Sequence, residues 1–231
     1  MSTRYREESI LRAYMKKEAL LKGKTKRAGR SDPRLAPYMY FFHCFGDQEK
    51  TVSKIFEIIA TAEKTKHKIA AQLEGKDLTS ADLFDIDVFD EIRLESDAIS
   101  HEEVQDIFAG TLFIILNNLL WSMATRVHKR GGLEVPKSAG RKIGSTSLFE
   151  LIRAAGNNFR HYEEWHGTIS KNRQLAKNIA FLKAAGLRRP WNRNMCAEIF
   201  ELVGWQDEKQ LSNEIRQLAS EIFRNQTGIP L

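Results

Sequence analysis

The stretch from Leu148 to Gly167, LFELIRAAGNNFRHYEEWHG, combines an apolar periodicity with a high density of polar groups. Its apolar residues recur every three or four positions and predict one stripe of an amphipathic helix. These residues are Leu148, Leu151, Ile152, Ala155, Phe159 and Tyr162. Gly167 is a stop signal, because glycine readily adopts the left-handed conformation that closes a helix. The stretch therefore predicts a helix over residues 147–166.

The opposite side of this helix is polar, and it is either solvated surface or a binding surface. Its members are Arg153, Asn157, Arg160 and Glu164. His166 lies at the carboxyl end, where the helix dipole favours the imidazolium form. On a straight helix His166 lies about 240° round from Arg160, on the apolar stripe. Two interpretations therefore stay open: a satisfied, partly buried histidine, or a reactive one if the helix ends near Trp165.

Five further helical patterns accompany this stretch, and no segment predicts a convincing strand. They cover 37–73, with a break expected at Gly46–Asp47, then 101–128, 171–185, 192–203 and 207–224. The sequence predicts an all-α bundle of about five to seven helices, with 101–128 and 147–166 as its inner pair.

The predicted 101–128 helix opens with a capping box, Ser100 followed by Glu103. Asn117 and Asn118 interrupt its apolar face. A buried amide must find partners, so we expect one of them to brace the helix that carries Arg160. The acidic segment 74–100 before it predicts a covering loop with one short helix. Its aspartates lack the order of a calcium-binding loop, so we predict no metal site.

Charge is segregated along the 231 residues, whose formal net charge is +6. Residues 1–34 hold 11 basic and four acidic groups. Residues 74–106 hold two basic and 12 acidic groups, and residues 126–193 hold 15 basic and four acidic groups. A basic block around the Leu148 helix fits a polyanion, unless the acidic and basic segments neutralise each other in the fold. We expect a flexible basic arm over 1–35 and one all-α domain over 36–231.

Two cysteines, Cys44 and Cys196, show neither CxxC spacing nor a disulfide framework. The amino terminus is charged and lacks the apolar core of a signal peptide, and no window approaches 18 uninterrupted apolar residues. We therefore expect a cytoplasmic protein with no membrane contact, no metal and no cofactor.

Arg160, polar His161 and then His166 resemble the R-x(4-6)-H signature of HEPN domains, over about twenty residues. These are small all-α domains, many of them metal-independent endoribonucleases that act as homodimers in toxin–antitoxin, phage-defence and RNA-processing systems. The resemblance implies an RNA substrate, a homodimer and, for a toxin, a cognate protein inhibitor. It also implies attack of the 2′-hydroxyl on the adjacent phosphate, which leaves a cyclic phosphate and a 5′-hydroxyl.

For that chemistry Arg160 would stabilise charge on phosphorus and His166 would act as the acid or base. His161 would orient the phosphate or share the proton transfer, and Asn157 and Arg153 would position the substrate. The alternative is a non-catalytic helical module that binds nucleic acid or a protein, because inactive members are part of the family and a fold does not establish chemistry.

Overall fold

The computed structural model of the chain describes residues 32–73, 86–165, 173–188 and 195–231, without the side chains of 72–73, 86–92, 95 and 162–165. Its elements are α1 (Leu35–Leu73), α2 (Ile86–Lys129), β1 (Lys142–Ile143), β2 (Thr146–Ser147), α3 (Leu148–Trp165), α4 (Arg173–Ala185), α5 (Met195–Val203) and α6 (Glu208–Thr227). All six helices contribute buried side chains to one apolar core. The predicted all-α bundle is confirmed.

The two longest helices, α1 and α2, pack against each other as an antiparallel pair. Arg126 near the end of α2 lies over the ring of Tyr40 near the start of α1. Further along, Lys66 of α1 donates a 3.4 Å hydrogen bond to Gln105 of α2. This pair forms one side of the bundle, and α2 also contacts α3, α5 and α6.

The predicted break of α1 at Gly46–Asp47 is wrong, because α1 is continuous. Phe41 and Phe45 before the glycine and Val52 after it are all buried. A glycine inside a helix costs about 1 kcal/mol. Burial of one large apolar side chain contributes about 1.5–3 kcal/mol. The burial of apolar side chains on both sides of Gly46 therefore outweighs the tendency of glycine to interrupt a helix.

The predicted start of a helix at Ser100 is also wrong, because α2 begins at Ile86. The hydroxyl of Ser100 donates to the backbone oxygen of Ser96 at 2.9 Å, a bond that serine makes inside helices. Residues 86–100 of the expected covering loop are thus helical, and residues 74–85 lie outside the described residues. A capping box marks the start of a helix only where no earlier helical turn supplies carbonyl oxygens for the backbone N–H groups.

A two-stranded antiparallel hairpin, β1–β2, precedes α3 and corrects the expectation that the chain has no strand. Lys142 pairs with Ser147 and Ile143 with Thr146. Gly144 makes the turn with a φ of 58°, a conformation that glycine adopts without steric cost. The hairpin fixes where α3 begins.

The three predicted carboxyl-terminal helices are present as α4, α5 and α6, within three residues of their expected ends. Asp207 caps the amino end of α6 and accepts a 2.7 Å hydrogen bond from the backbone of Gln210. Gly228 closes the other end in the left-handed conformation, with its N–H donating to Arg224. Local signals therefore define this helix at both ends.

The amino end of α5 is capped from another helix. The buried carboxylate of Asp106, on α2, accepts hydrogen bonds from the backbone of Cys196 at 2.6 Å and Ala197 at 3.0 Å. The helix dipole favours a negative charge at this position. Burial, and secondarily the nearby Asp106, raise the pKa of the Cys196 thiol well above its ordinary value. Cys196 is therefore a protonated core residue at neutral pH.

Within the described residues, Ser96–Lys129 of α2 is the one helical segment long and apolar enough to cross a membrane. Half of its most apolar window is buried inside the bundle. The core helix of a soluble protein meets the same length and composition criteria, so this property is weak evidence for a membrane span.

Of the arm predicted for 1–35, residues 1–31 lie outside the described residues. The next residues contact the bundle: Arg130 donates to the backbone oxygen of Pro33 at 3.0 Å. Arg34 pairs with Asp32 at 2.6 Å and reaches the backbone of Thr227 at 3.4 Å. The entry into α1 is therefore held against the ends of α2 and α6.

Candidate functional site: a polar seam between two helices

The start of α3 is fixed by Ser147. Its hydroxyl oxygen accepts a 3.2 Å hydrogen bond from the backbone of Glu150 and donates at 2.6 Å to the backbone of Lys137. Ser147 is thus the amino-terminal cap, and Ser147-x-x-Glu150 has the sequence pattern of a capping box. Ser100 has the same sequence pattern but lies inside α2, whereas Ser147 does mark the start of a helix.

Two glycines bring α2 and α3 into close approach, and we call this pair of contacts the glycine contact. A Cβ added to Gly156 of α3 would lie 2.8 Å from the carbonyl oxygen of Phe113 on α2. A Cβ added to Gly110 of α2 would overlap the ring of Phe159 on α3. Any larger residue at either position must push the helices or the ring apart.

Beside the glycine contact, polar and aromatic side chains meet between the same helices, and we call this group the polar seam. It consists of Asn117, Asn118 and Trp121 on α2 with Arg153, Asn157 and Arg160 on α3. Three residues of the predicted polar side of α3 therefore contact a neighbouring helix, namely Arg153, Asn157 and Arg160. Both asparagines of α2 contact α3, which confirms the expected bracing.

Arg160 lies at the exposed edge of the polar seam. Its Nη2 donates a 2.8 Å hydrogen bond to the amide oxygen of Asn118, which is also exposed. Among the described side chains no carboxylate pairs with Arg160, although the side chains of Glu163 and Glu164 are not described. The amide orients the guanidinium, and because an amide is neutral it does not compensate the positive charge.

Arg153 lies deeper and contacts an aromatic ring. Its guanidinium carbon is 4.4 Å from the centre of the Trp121 ring, a cation–π contact. Trp121 is 38% exposed and stacks on Phe149 at 6.3 Å. One turn before Arg153, burial raises the pKa of Glu150, an effect opposed by Lys137 and Arg153. The predicted substrate-positioning residue Arg153 is thus engaged within the fold.

Asn157 is held by the second asparagine of α2. The Asn117 amide donates to its side-chain oxygen at 3.3 Å. Asn117 is 6% exposed, and its own oxygen has no hydrogen-bond partner among the described residues. The next residue, Asn158, is buried on the other side, with its amide nitrogen 3.1 Å from the sulfur of Met195. Consecutive asparagines thus brace α3 in two directions.

Of the two histidines in the predicted site, the structure describes His161 and not His166. His161 is half-buried and has an interaction partner. His166 lies outside the described residues, as does Gly167, so the predicted pairing of Arg160 with His166 stays a prediction. The apolar stripe of α3 is buried from Leu148 to Ala155, and Phe159 packs against the core.

A basic helix end adjoins the Arg160 end of α3. The backbone N–H of Ser145, just before α3, donates to Ala184 at the end of α4, so the two helices run antiparallel. The first turns of α4 therefore lie toward Arg160. They carry exposed Arg173 and Lys177, and α4 contains no acidic residue. Among the described side chains, basic groups thus lie near the adjoining ends of α3 and α4.

The sequence indicates five of the six members of the polar seam by residue type, and it does not indicate Trp121 as the partner of Arg153. Because Trp121 lies among apolar residues of α2, its pattern is that of a core residue. Within the described ranges, no group of three or more histidine, cysteine or carboxylate side chains could hold a metal ion. Comparison with protein-family models, curated proteins and solved structures finds no match.

Proposed function

We propose that this chain is a metal-independent endoribonuclease of the HEPN type, with Arg160 as its phosphate-binding group. The observation that carries the proposal is the setting of Arg160. An arginine held by the neutral amide of Asn118 keeps its charge for an anion, and its planar fork matches phosphate oxygens. The exposed cations Arg173 and Lys177, in the first turns of the neighbouring helix α4, support a polyanionic ligand.

The chemistry proposed for the site divides between a fixed cation and titrating groups. Arg160 stabilises the charge that develops on phosphorus while the 2′-hydroxyl attacks. His166 transfers the proton, and His161 orients the phosphate or shares that transfer. Asn157, held by Asn117, positions the substrate, and Arg153 supports it from its place over Trp121. The products carry a cyclic phosphate and a 5′-hydroxyl.

The proposed setting is a cytoplasmic toxin–antitoxin or phage-defence system. RNA is then the substrate, a cognate protein inhibitor blocks the site until it is needed, and two copies of the chain form a homodimer. These partners follow from the resemblance of the Arg160–His166 segment to HEPN domains.

A second candidate function is a non-catalytic helical module that binds nucleic acid or protein. The contacts of Arg153 with Trp121 and of Asn157 with Asn117 favour it, because residues that hold two helices together need no substrate to explain them. In that case Arg160 contributes to binding and no bond is cleaved.

Purified protein incubated with total RNA and tRNA in EDTA tests both functions. We expect cleavage with cyclic-phosphate ends. Arg160→Ala should lower the rate by about 10²–10³, the loss typical of removing one group that stabilises a transition state. Arg224→Ala is the matched control, because Arg224 is an exposed arginine on α6, and it should leave the rate unchanged.

Further results distinguish the two candidate functions and the role of His166. Strict dependence on magnesium, or no cleavage by a folded sample, removes the ribonuclease. RNA binding that weakens steeply with salt, without cleavage, supports the non-catalytic module. A His166→Ala chain that unfolds identifies His166 as a buried structural residue, whereas a folded and inactive one supports its role in proton transfer.

A further inference from the structure

Trp121 of α2 is an exposed aromatic side chain whose ring is held by the neighbouring helix. The guanidinium of Arg153 lies over the indole at 4.4 Å, and Phe149 stacks against it at 6.3 Å with an angle of 22° between the rings. These two residues are four positions apart, so they lie on the same side of α3. Both contacts therefore reach the indole from α3, while 38% of Trp121 stays exposed. The exposed part is the side of the indole that faces away from α3.

The buried tryptophan Trp205 shows how this chain places an indole that serves the fold alone. It is 4% exposed, its ring lies against those of Phe113 and Phe200, and its indole N–H donates a 2.7 Å hydrogen bond to Glu214. Trp121 differs because it is held on one side and open on the other. A fixed and exposed aromatic ring is suited to binding, since little conformational entropy is lost when a ligand covers it.

The exposed indole lies next to the proposed phosphate-binding group. Asn118, whose amide oxygen accepts the 2.8 Å hydrogen bond from Arg160, precedes Trp121 by three residues on α2. Residues three apart on a helix are neighbours, with about 5–6 Å between their Cβ atoms. Because Asn118, Trp121 and Arg160 are all exposed, the guanidinium and the indole belong to one continuous surface. A comparable span separates a phosphate from the adjacent base across one sugar.

The two groups fit different parts of one ligand. A guanidinium binds phosphate oxygens with its planar fork, and an indole binds the flat face of a nucleobase by stacking. Their separation of about one helical turn fits a nucleotide, which is anionic at one end and aromatic at the other. Bases in a double helix are already stacked on each other, so the base that reaches an indole is unpaired. This surface therefore favours single-stranded RNA over a duplex.

We propose that Trp121 is a stacking platform for an unpaired nucleobase, next to the phosphate that binds Arg160. The assignment rests on the proposed function, and it narrows the substrate to single strands and loops of RNA. Every base presents a flat face, so this contact orients the substrate without selecting a particular base. Cleavage is then directed to unpaired positions rather than to one sequence at the stacked base.

Fluorescence anisotropy with uncleavable ligands tests the platform. A 2′-O-methyl RNA oligomer of mixed sequence presents phosphates and bases but lacks the attacking hydroxyl, and the same backbone without bases presents phosphates alone. We expect the full chain to bind the oligomer with bases more tightly by about 5- to 140-fold. This ratio corresponds to the about 1–3 kcal/mol of one stacked base.

Substitutions at Trp121 assign this preference to its indole. Trp121→Leu removes the aromatic face and keeps an apolar side chain against Phe149, so it should bind both oligomers with equal affinity. Trp121→Phe keeps an aromatic ring and should retain most of the preference. Ile107→Ala is the matched control, because Ile107 is another exposed apolar residue of α2, about 21 Å along the helix from Trp121. The control should bind like the unmodified chain, and circular dichroism establishes that each variant is folded.

An unmodified chain that binds both oligomers equally overturns the platform without any variant. A folded Trp121→Leu chain that keeps the preference for bases also overturns it. If Arg160→Ala weakens binding in either case, the role of Arg160 in binding phosphate is retained. A preference that is lost in Trp121→Leu, in a chain that cleaves no RNA, supports the platform and removes only the ribonuclease. An unmodified chain that binds neither oligomer removes both the platform and RNA as the ligand.

Discussion

The glycine contact and the polar seam join the same two helices by different physical means. At the first, Gly110 and Gly156 allow backbone and ring to meet without an intervening side chain. At the second, amides, guanidinium groups and an indole meet at hydrogen-bond and cation–π distances. The first contact fixes how close α2 and α3 lie, and the second fixes which groups are presented at the surface. Mutations can therefore change the stability of the fold separately from the groups that are presented at the surface.

The largest expected effect comes from Gly156→Ala. The added methyl group meets the Phe113 backbone, which cannot move independently of α2, so we expect a loss of about 1–3 kcal/mol in the free energy of unfolding. Gly46→Ala is the control, because an added Cβ at this exposed position in α1 meets nothing within 4 Å. It should stabilise by about 0.4–1 kcal/mol. Urea denaturation measures both, and equal effects would contradict the glycine contact.

A smaller effect separates the two neighbouring asparagines. Asn117→Ala removes a buried amide that bonds to Asn157, and we expect a loss of about 1–2 kcal/mol. Asn118→Ala removes an exposed amide and should change the free energy of unfolding by less than about 0.5 kcal/mol. Because Asn118 orients Arg160, it should instead weaken RNA binding. Urea denaturation measures the stability of both variants, and a filter-binding assay measures their affinity for RNA. A larger loss of stability in Asn118→Ala than in Asn117→Ala would contradict these separate roles.

The smallest effect is expected at Arg153. Arg153→Met keeps the aliphatic volume and removes the cation–π contact with Trp121, for a loss of about 0.5–1 kcal/mol. The near-ultraviolet circular dichroism should change as the indole loses its fixed neighbour. Arg224→Met, at an exposed position of α6, should change neither quantity. An unchanged spectrum in Arg153→Met would show that the cation does not order the ring.

The helices were largely predictable because their apolar periods are strong. The stripe of α3 from Leu148 to Phe159, the last three helices and the bracing by Asn117 and Asn118 all follow from residue type and spacing. The errors came from local signals that tertiary packing overrides. Gly46 and Ser100 both resemble helix boundaries, yet the long contact between α1 and α2 continues across the first, and earlier turns of α2 surround the second.

Contacts between distant segments could not be predicted from the sequence. Nothing near Trp121 indicates that Arg153 lies over its ring, and nothing near Asp106 indicates a cap for α5. The hairpin at Gly144 was missed because two-residue strands carry no periodicity. Ser147 could have been found, since it is followed by Glu150 at capping-box spacing.

The cap that Asp106 provides also sets an order of folding. Its carboxylate is 90 residues distant from the backbone of Cys196 that it bonds. A nine-residue helix such as α5 is shorter than the about 12–15 residues that an isolated helix needs to persist in water. During synthesis from the amino terminus, α2 emerges well before α5 and is available as a template. Refolding of the complete chain must first close this long loop, so α5 is expected to become protected from hydrogen exchange late.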